Sequence, residues 1–196
     1  MNTNLKIIKL KNRSLLEIKG DDSREFLQAL VTNNINLITN KNSIYSALLS
    51  PQGKYLYDFF IFQHYKNGHL IIDCEKKIHD ELIQKLNMYK LRSQIEITIN
   101  NKIDVYCIYG NELTKLISNI GLFNIEGFTK SIYNNLYFVD PRNKNLGIRN
   151  YTNNLIKEFR QLPAGTLSEW NYNRIKLRIP TPSIDLEKEK SFIIEN

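Results

Sequence analysis

The chain has 196 residues, of which 42% are hydrophobic and 24% charged; this suits one large or two small globular domains and excludes a disordered chain. Two cysteines, Cys74 and Cys107, exclude a disulfide scaffold and a four-cysteine zinc site. The net charge of +7, from 27 basic and 20 acidic residues without a run of five basic ones, allows a polyanionic partner but does not demand one. No stretch of eighteen apolar residues exists, so no membrane span is expected. Residues 1–11 alternate apolar and charged side chains, unlike the apolar block of a signal peptide. A cytoplasmic location is the expectation.

In chain order, residues 5–10 (LKIIKL) and 14–19 (SLLEIK) read as short strands. Gly20-Asp21-Asp22 breaks the chain, and Asp22 or Ser23 can cap a helix that carries Phe26, Leu27, Leu30 and Val31 on one face. Residues 43–49 form a strand, Pro51-Gln52-Gly53-Lys54 a turn, and residues 55–63 a returning strand, which makes a hairpin. Lys66-Asn67-Gly68 is a further turn before a strand at 70–72. An amphipathic helix spans 76–89, with Ile78, Leu82, Ile83 and Leu86 on its apolar side. Strands at 94–99 and 103–108 flank a turn at Asn100-Asn101. A helix from Asn111 to Ile120 is closed by Gly121. Strands follow at 136–139 and 146–151, interrupted by Asp140-Pro141-Arg142. Helices are expected at 152–160 and 168–177, the second opened by Ser168-x-x-Asn171. Beyond Pro180 the pattern is a polar loop, with a strand beginning at 191–194. Mixed elements joined by hairpins specify an α+β class of antiparallel, hairpin-rich sheets with packed helices, not a doubly wound parallel sheet. No phosphate-cradling glycine motif occurs.

The chemistry-bearing residues are few. His64, His69 and His79 fall on two strands flanking a turn and on a helix, a spacing that does not converge on a metal. Cys107 lies in an apolar strand, and Cys74 sits between Asp73 and Glu75, whose charges raise a thiol pKa. Asp58 is different. It interrupts Tyr55-Leu56-Tyr57 and Phe59-Phe60-Ile61-Phe62, where an unpaired buried carboxylate is costly. It must reach solvent, pair with a cation, or face a ligand cavity. Arg92 follows a helix end and suits its carbonyls. Arg142 follows Asp140-Pro141 in a corner that suits a structural salt link.

Several segments together resemble the YgfZ/GcvT folate-binding family. They are Leu16-Glu17-Ile18-Lys19-Gly20-Asp21-Asp22 with Phe26-Leu27-Gln28 and Thr32-Asn33, then Ala47-Leu48-Leu49-Ser50-Pro51-Gln52-Gly53-Lys54 through Asp58. The series continues with Tyr89-Lys90-Leu91-Arg92, Asp140-Pro141-Arg142, Leu146-Gly147-Ile148-Arg149, Tyr172-Asn173-Arg174-Ile175-Lys176-Leu177, Ile179-Pro180, Asp185 and Glu195-Asn196. The resemblance implies a protein that binds tetrahydrofolate or a related folate and supports assembly or repair of iron–sulfur proteins. It implies Asp58, Glu195, Arg92 and Arg142 as folate contacts, with Glu195 on the pterin, and a ferredoxin-like unit at 1–100 followed by a second mixed unit at 101–196. Tyr57 and Lys54 replace residues of the enzyme branch's Gly-Gly-x-x-Asp-Asp stretch, which favours the YgfZ branch over aminomethyl transfer, the first alternative function. A tRNA-modification-associated binding protein is the second. The family's Lys-Gly-Cys-Tyr-x-Gly-Gln-Glu motif is not reached before Asn196. The resemblance therefore implies a C-terminally truncated chain without the family's final β-rich domain, impaired or inactive by itself if that cysteine is needed.

Overall fold

The computed structural model describes residues 5–192. They form β1 (Leu5–Lys9), β2 (Arg13–Lys19), α1 (Ser23–Gln28), β3 (Ile44–Leu49), β4 (Tyr55–Gln63), β5 (Leu70–Glu75), α2 (His79–Lys90), β6 (Glu96–Ile99), β7 (Asp104–Gly110), α3 (Leu113–Asn119), β8 (Thr129–Ile132), β9 (Asn135–Val139), β10 (Ile148–Thr152), α4 (Lys157–Arg160), α5 (Leu167–Lys176) and α6 (Pro182–Asp185). Two five-stranded sheets result, ordered β1-β7-β10-β9-β8 and β3-β4-β5-β2-β6. Every strand pair in both is antiparallel. The α+β class read from the hairpins is the class observed.

One compact unit holds the first sheet, built from residues 5–11, Asn40–Ser43 and Asn101–Ile179. One face of the sheet carries Leu5, Ile108, Tyr137, Val139 and Ile148, which form a core with Leu113 and Ile117 of α3 and Phe159 of α4. Strand β8 escapes the sequence reading because TKSI is half polar and, as an edge strand, leaves Lys130 and Ser131 exposed. Its turn into β9 is Tyr133-Asn134, with φ of 47° and 61°. Positive φ at both residues is the backbone of a tight hairpin, and asparagine tolerates it. Residues 40–43 run alongside β8: Thr129 donates its amide to Lys41 (2.8 Å) and Ser43 donates its own to Gly127 (2.8 Å).

The helix expected over 152–160 shrinks to α4. Thr152 instead completes β10, and its hydroxyl accepts the Asn154 amide at 2.9 Å, a local bond that competes with helix formation. Helix α5 is capped by Thr166, not Ser168. The Thr166 hydroxyl accepts the Glu169 amide and the Glu169 carboxylate accepts the Thr166 amide, a reciprocal capping box.

The second unit comprises Asn12–Thr39, Ile44–Asn100 and the described residues from 180 onward. Phe26 and Leu27 of α1, Leu82 and Leu86 of α2, and Leu16, Ile18, Tyr57, Phe59, Ile61, Leu70, Ile72 and Cys74 of the sheet make its core. Gly20 has a φ of 111°, and a Cβ there would stand 2.0 Å from the Gln94 carbonyl oxygen. Only glycine fits this approach. The turn at Asn100-Asn101 does not close a hairpin: β6 pairs with β2, whereas β7 pairs with β1 and β10. Residues 180–192, read as loop, include α6, whose first turn is closed by the Asp185 carboxylate on the Thr181 amide (2.7 Å). Phe192 forms a bridge with Lys54; the rest of the strand expected at 191–194 lies outside the described residues.

Candidate functional site

Strand β4 places Tyr57, Phe59 and Ile61 in the helix-facing core. Alternation therefore turns Asp58, Phe60 and Phe62 to the opposite face of the sheet. Register carries that face across the neighbouring strands. Phe60 stands opposite Tyr45 and Asp73, and Phe62 opposite Ile71; Arg13 stands opposite Glu75 and Leu15 opposite Asp73. The face thus gathers three carboxylates, Asp58, Asp73 and Glu75, all buried (3%, 0% and 5% exposed). Buried carboxylates persist only with hydrogen-bonding or cationic partners.

Each is held differently. Asp58 accepts hydrogen bonds from the Tyr45 hydroxyl and from the Tyr55 hydroxyl (3.2 Å). Tyr45 reaches it on the diagonal of the β3–β4 pair. Tyr55 is three residues from Asp58, an odd spacing that would put it on the wrong face of a regular strand. The register shift between Leu48 and Leu49 corrects this: a bulge inserts one residue and re-aims the side chain. Burial, then the Asp58 charge, pushes the Tyr55 phenol above its ordinary pKa, so it remains a donor. Asp73 receives the Arg13 Nε at 2.6 Å, while the same guanidinium donates to the Asp73 carbonyl (2.7 Å) and lies 5.6 Å from the Phe60 ring centroid. Glu75 has Lys77 Nζ at 3.9 Å. Cys74 points into the other face; burial first, then Asp73 against the opposing pull of Arg13, pushes its thiol up to about 12.

The four residues expected at a folate site are distributed as follows. Asp58 is at the centre of the polar face. Arg92 is exposed just beyond α2, after Leu91 with φ of 44°; strands β5 and β2 lie between β4 and the β6 that Arg92 leads into. Arg142 belongs to the other unit. There its Nε and Nη2 grip the two Asp140 carboxylate oxygens at 3.0 and 2.8 Å, and Arg149 Nε adds a contact at 3.3 Å. Burial would raise the Asp140 carboxyl, but Arg142 and then Arg149 outweigh it and hold it below the usual aspartate value. Glu195 lies outside the described residues.

Arg13, Tyr45, Asp73 and Glu75 were not singled out by the sequence reading as members of one site. The signal was present in β5: Leu70, Ile72 and Cys74 share a face, so Ile71, Asp73 and Glu75 share the other, and that face continues Asp58 and Phe60. Reading the strand as 70–72 hid it. Three carboxylates, two phenols and a guanidinium around an aromatic sheet face can orient a flat, hydrogen-bonding heterocycle: carboxylates accept from amino and ring N–H groups, and aromatic rings pack on its faces.

Comparison with known proteins places the fold in a class. The fold is that of a GcvT-like protein: glycine cleavage system aminomethyltransferase T from Bartonella henselae superposes with a TM-score of 0.61 over 91% of this chain and 47% of that one, at 12% identity. Among curated sequences, the mitochondrial iron-sulfur cluster assembly factor IBA57 homolog of Dictyostelium discoideum is 28% identical over 87% of this chain and 48% of its own length. The tRNA-modifying protein YgfZ of Hamiltonella defensa is 30% identical over 58% of this chain and 33% of its own. The chain spans about half, or less, of the length of these relatives. No family model matches it. The resemblance to YgfZ and GcvT proteins read from the sequence is thus met both in sequence and in fold.

Proposed function

We propose that this chain is a folate-binding module that serves assembly or repair of iron–sulfur proteins. The observation that carries the reading is Asp58: a carboxylate only 3% exposed, held by two tyrosine hydroxyls on an aromatic sheet face. It stands at the end of the Gly53–Asp58 stretch that resembles the folate family. Its oxygens suit the amino and ring N–H donors of a pterin. Arg92 and Glu195 are the further folate contacts in this reading, the arginine matching the anionic glutamate tail. The relatives' names support the iron–sulfur role, and its partners would be assembly components and client proteins. The YgfZ relative's name and the charge of +7 support tRNA as an additional partner, with an affinity that falls steeply with salt.

Calorimetric titration of the 196-residue chain with tetrahydrofolate should give one saturable site. Asp58→Asn should weaken it about ten-fold, the value of one charge-assisted hydrogen bond. An unchanged affinity in a folded Asp58→Asn variant would remove Asp58 from the site.

A further inference from the structure

A second site candidate lies wholly within the unit that carries the first sheet. The β8–β9 turn and the segment from Asn153 to Arg160 enclose an open cleft of about 390 Å³, lined by Tyr133, Asn134, Asn135, Asn154, Lys157 and Arg160 among others. That volume lies within the range of small-molecule sites, roughly 300–1,000 Å³.

Of the lining residues, Asn135 belongs to a buried polar group with Tyr137 and Asn150 that is short of donors. Asn135, 3% exposed, gives its Nδ2 to the Tyr133 carbonyl (2.8 Å), and Asn150, fully buried, gives its Nδ2 to the Leu136 carbonyl (3.2 Å). These bonds fix both amide orientations. The Asn135 Oδ1 has no hydrogen-bond partner, whereas the Tyr137 phenol and the Asn150 side chain interact. Tyr137 stands directly opposite Asn150 in the β9–β10 register, with Asn135 two residues along on the same face. One phenolic proton can satisfy one of two amide oxygens, so a seam of buried acceptors remains one donor short, and unpartnered buried groups are costly. Burial, then the charge of Glu158, pushes the Tyr137 phenol up, so it keeps its proton to donate.

The rim is the electrostatic opposite. Lys157 and Arg160 are exposed on α4, and Tyr133 presents its ring to solvent at 82% exposure. The Arg160 guanidinium is oriented by the Leu155 carbonyl (2.7 Å) and by Asn154, a pre-organised arrangement for an anion. An unpartnered amide acceptor at Asn135, a stackable phenol and a cationic mouth call for a ligand with an amino-substituted aromatic ring at one end and an anion at the other.

We propose that this cleft binds a purine nucleoside monophosphate unit, its exocyclic amine toward Asn135, its ring on Tyr133 and its phosphate at Lys157 and Arg160. The site is distinct from the Asp58 face and does not rest on the folate reading. The unit could come from a free nucleotide or from an unpaired nucleotide of an RNA, since both present the same groups.

The test is calorimetric titration of the full chain with AMP, adenosine and a short oligoadenylate, with side-chain amide NMR on AMP addition. AMP should bind one site, adenosine about ten-fold more weakly for want of the phosphate, and the Asn135 amide pair should shift. Lys157→Glu, at an exposed position, should weaken AMP about ten-fold. Asn135→Leu should do likewise, and if it fails to fold, Tyr133→Ala replaces it. Oligoadenylate binding at least as tight as AMP assigns the site to RNA, and AMP binding alone assigns it to a free nucleotide; both support the cleft. Absence of saturable binding by AMP and oligoadenylate, or an AMP affinity unmoved by Lys157→Glu, overturns the proposal.

Discussion

Arg13 shows how a single side chain holds a buried charge in place. It neutralises Asp73, donates to the Asp73 carbonyl and covers the Phe60 ring. Removing one partner of such a pair strands the other charge in a low-dielectric site, at a cost of about 3–5 kcal/mol. Arg13→Met should therefore destabilise the protein by about that much in urea denaturation. Arg13→Met with Asp73→Asn should recover part of the loss, because no uncompensated charge is left. Equal losses in the single and double variants would mean that the ion pair is not what Arg13 contributes. Asp140 gives the corresponding pH effect. Its folded carboxyl is held below the ordinary value of 3.8. A carboxyl depressed on folding adds stability above its unfolded pKa and loses it as pH falls through the folded one. The stability gap between the wild type and Asp140→Asn should thus be full at neutral pH and narrow below about 3.8, read as urea midpoints at several pH values. A gap that stays constant into acid would contradict the pairing with Arg142 and Arg149. At this scale the sequence made Asp58 conspicuous, since a lone carboxylate among aromatics stands out by composition. Asp73 and Glu75 did not stand out, because their significance comes from register with strands distant in the chain.

Elements were legible where periodicity is strong and were missed where a few polar residues decide. The β3–β4 hairpin and α2 follow directly from alternation, the Pro51–Lys54 turn and the 3–4 spacing of apolar residues. Strand β8 carries too little apolar signal to compete with loop, and only its pairing with β9 makes it a strand. Partner choice was also hidden. The run 94–108 reads as two strands about a turn, yet its strands enter different sheets, since local sequence specifies extended backbone and not the neighbour. At the start of α5 the competing signals were two hydroxyl residues apart, Thr166 and Ser168. Glutamate stands three residues after Thr166 and asparagine three after Ser168, so only Thr166 can form the reciprocal box. Thr166→Ala should cost about 1 kcal/mol and Thr166→Ser almost nothing, measured by thermal unfolding. A comparable loss from Ser168→Ala would return the cap to the later residue.

Chain connectivity sets what can be cut from the molecule. The two compact units change places along the chain after residues 11, 39, 43, 100 and 179, so neither is one continuous segment. The first sheet takes an edge strand, β1, from the N-terminus: Leu5 through Lys9 pair with Gly110 through Tyr106, and Leu5 is part of that unit's core. The strap at 40–43 supplies the hydrogen bonds that occupy Gly127 and Thr129. A fragment of residues 101–196 lacks both. It would leave the β7 edge unpaired, and an open hydrophobic strand edge favours association over folding. The second sheet is different, because β2 through β6 all lie between residues 13 and 99. Expressed alone, 101–196 should show weak tertiary signal at its one tryptophan, Trp170, and should aggregate on size exclusion. Mixing it with a 1–43 peptide should restore a buried Trp170 and a monomeric elution. Should 101–196 fold cooperatively without the peptide, β1 and the strap would be ornaments of that sheet and not parts of its core.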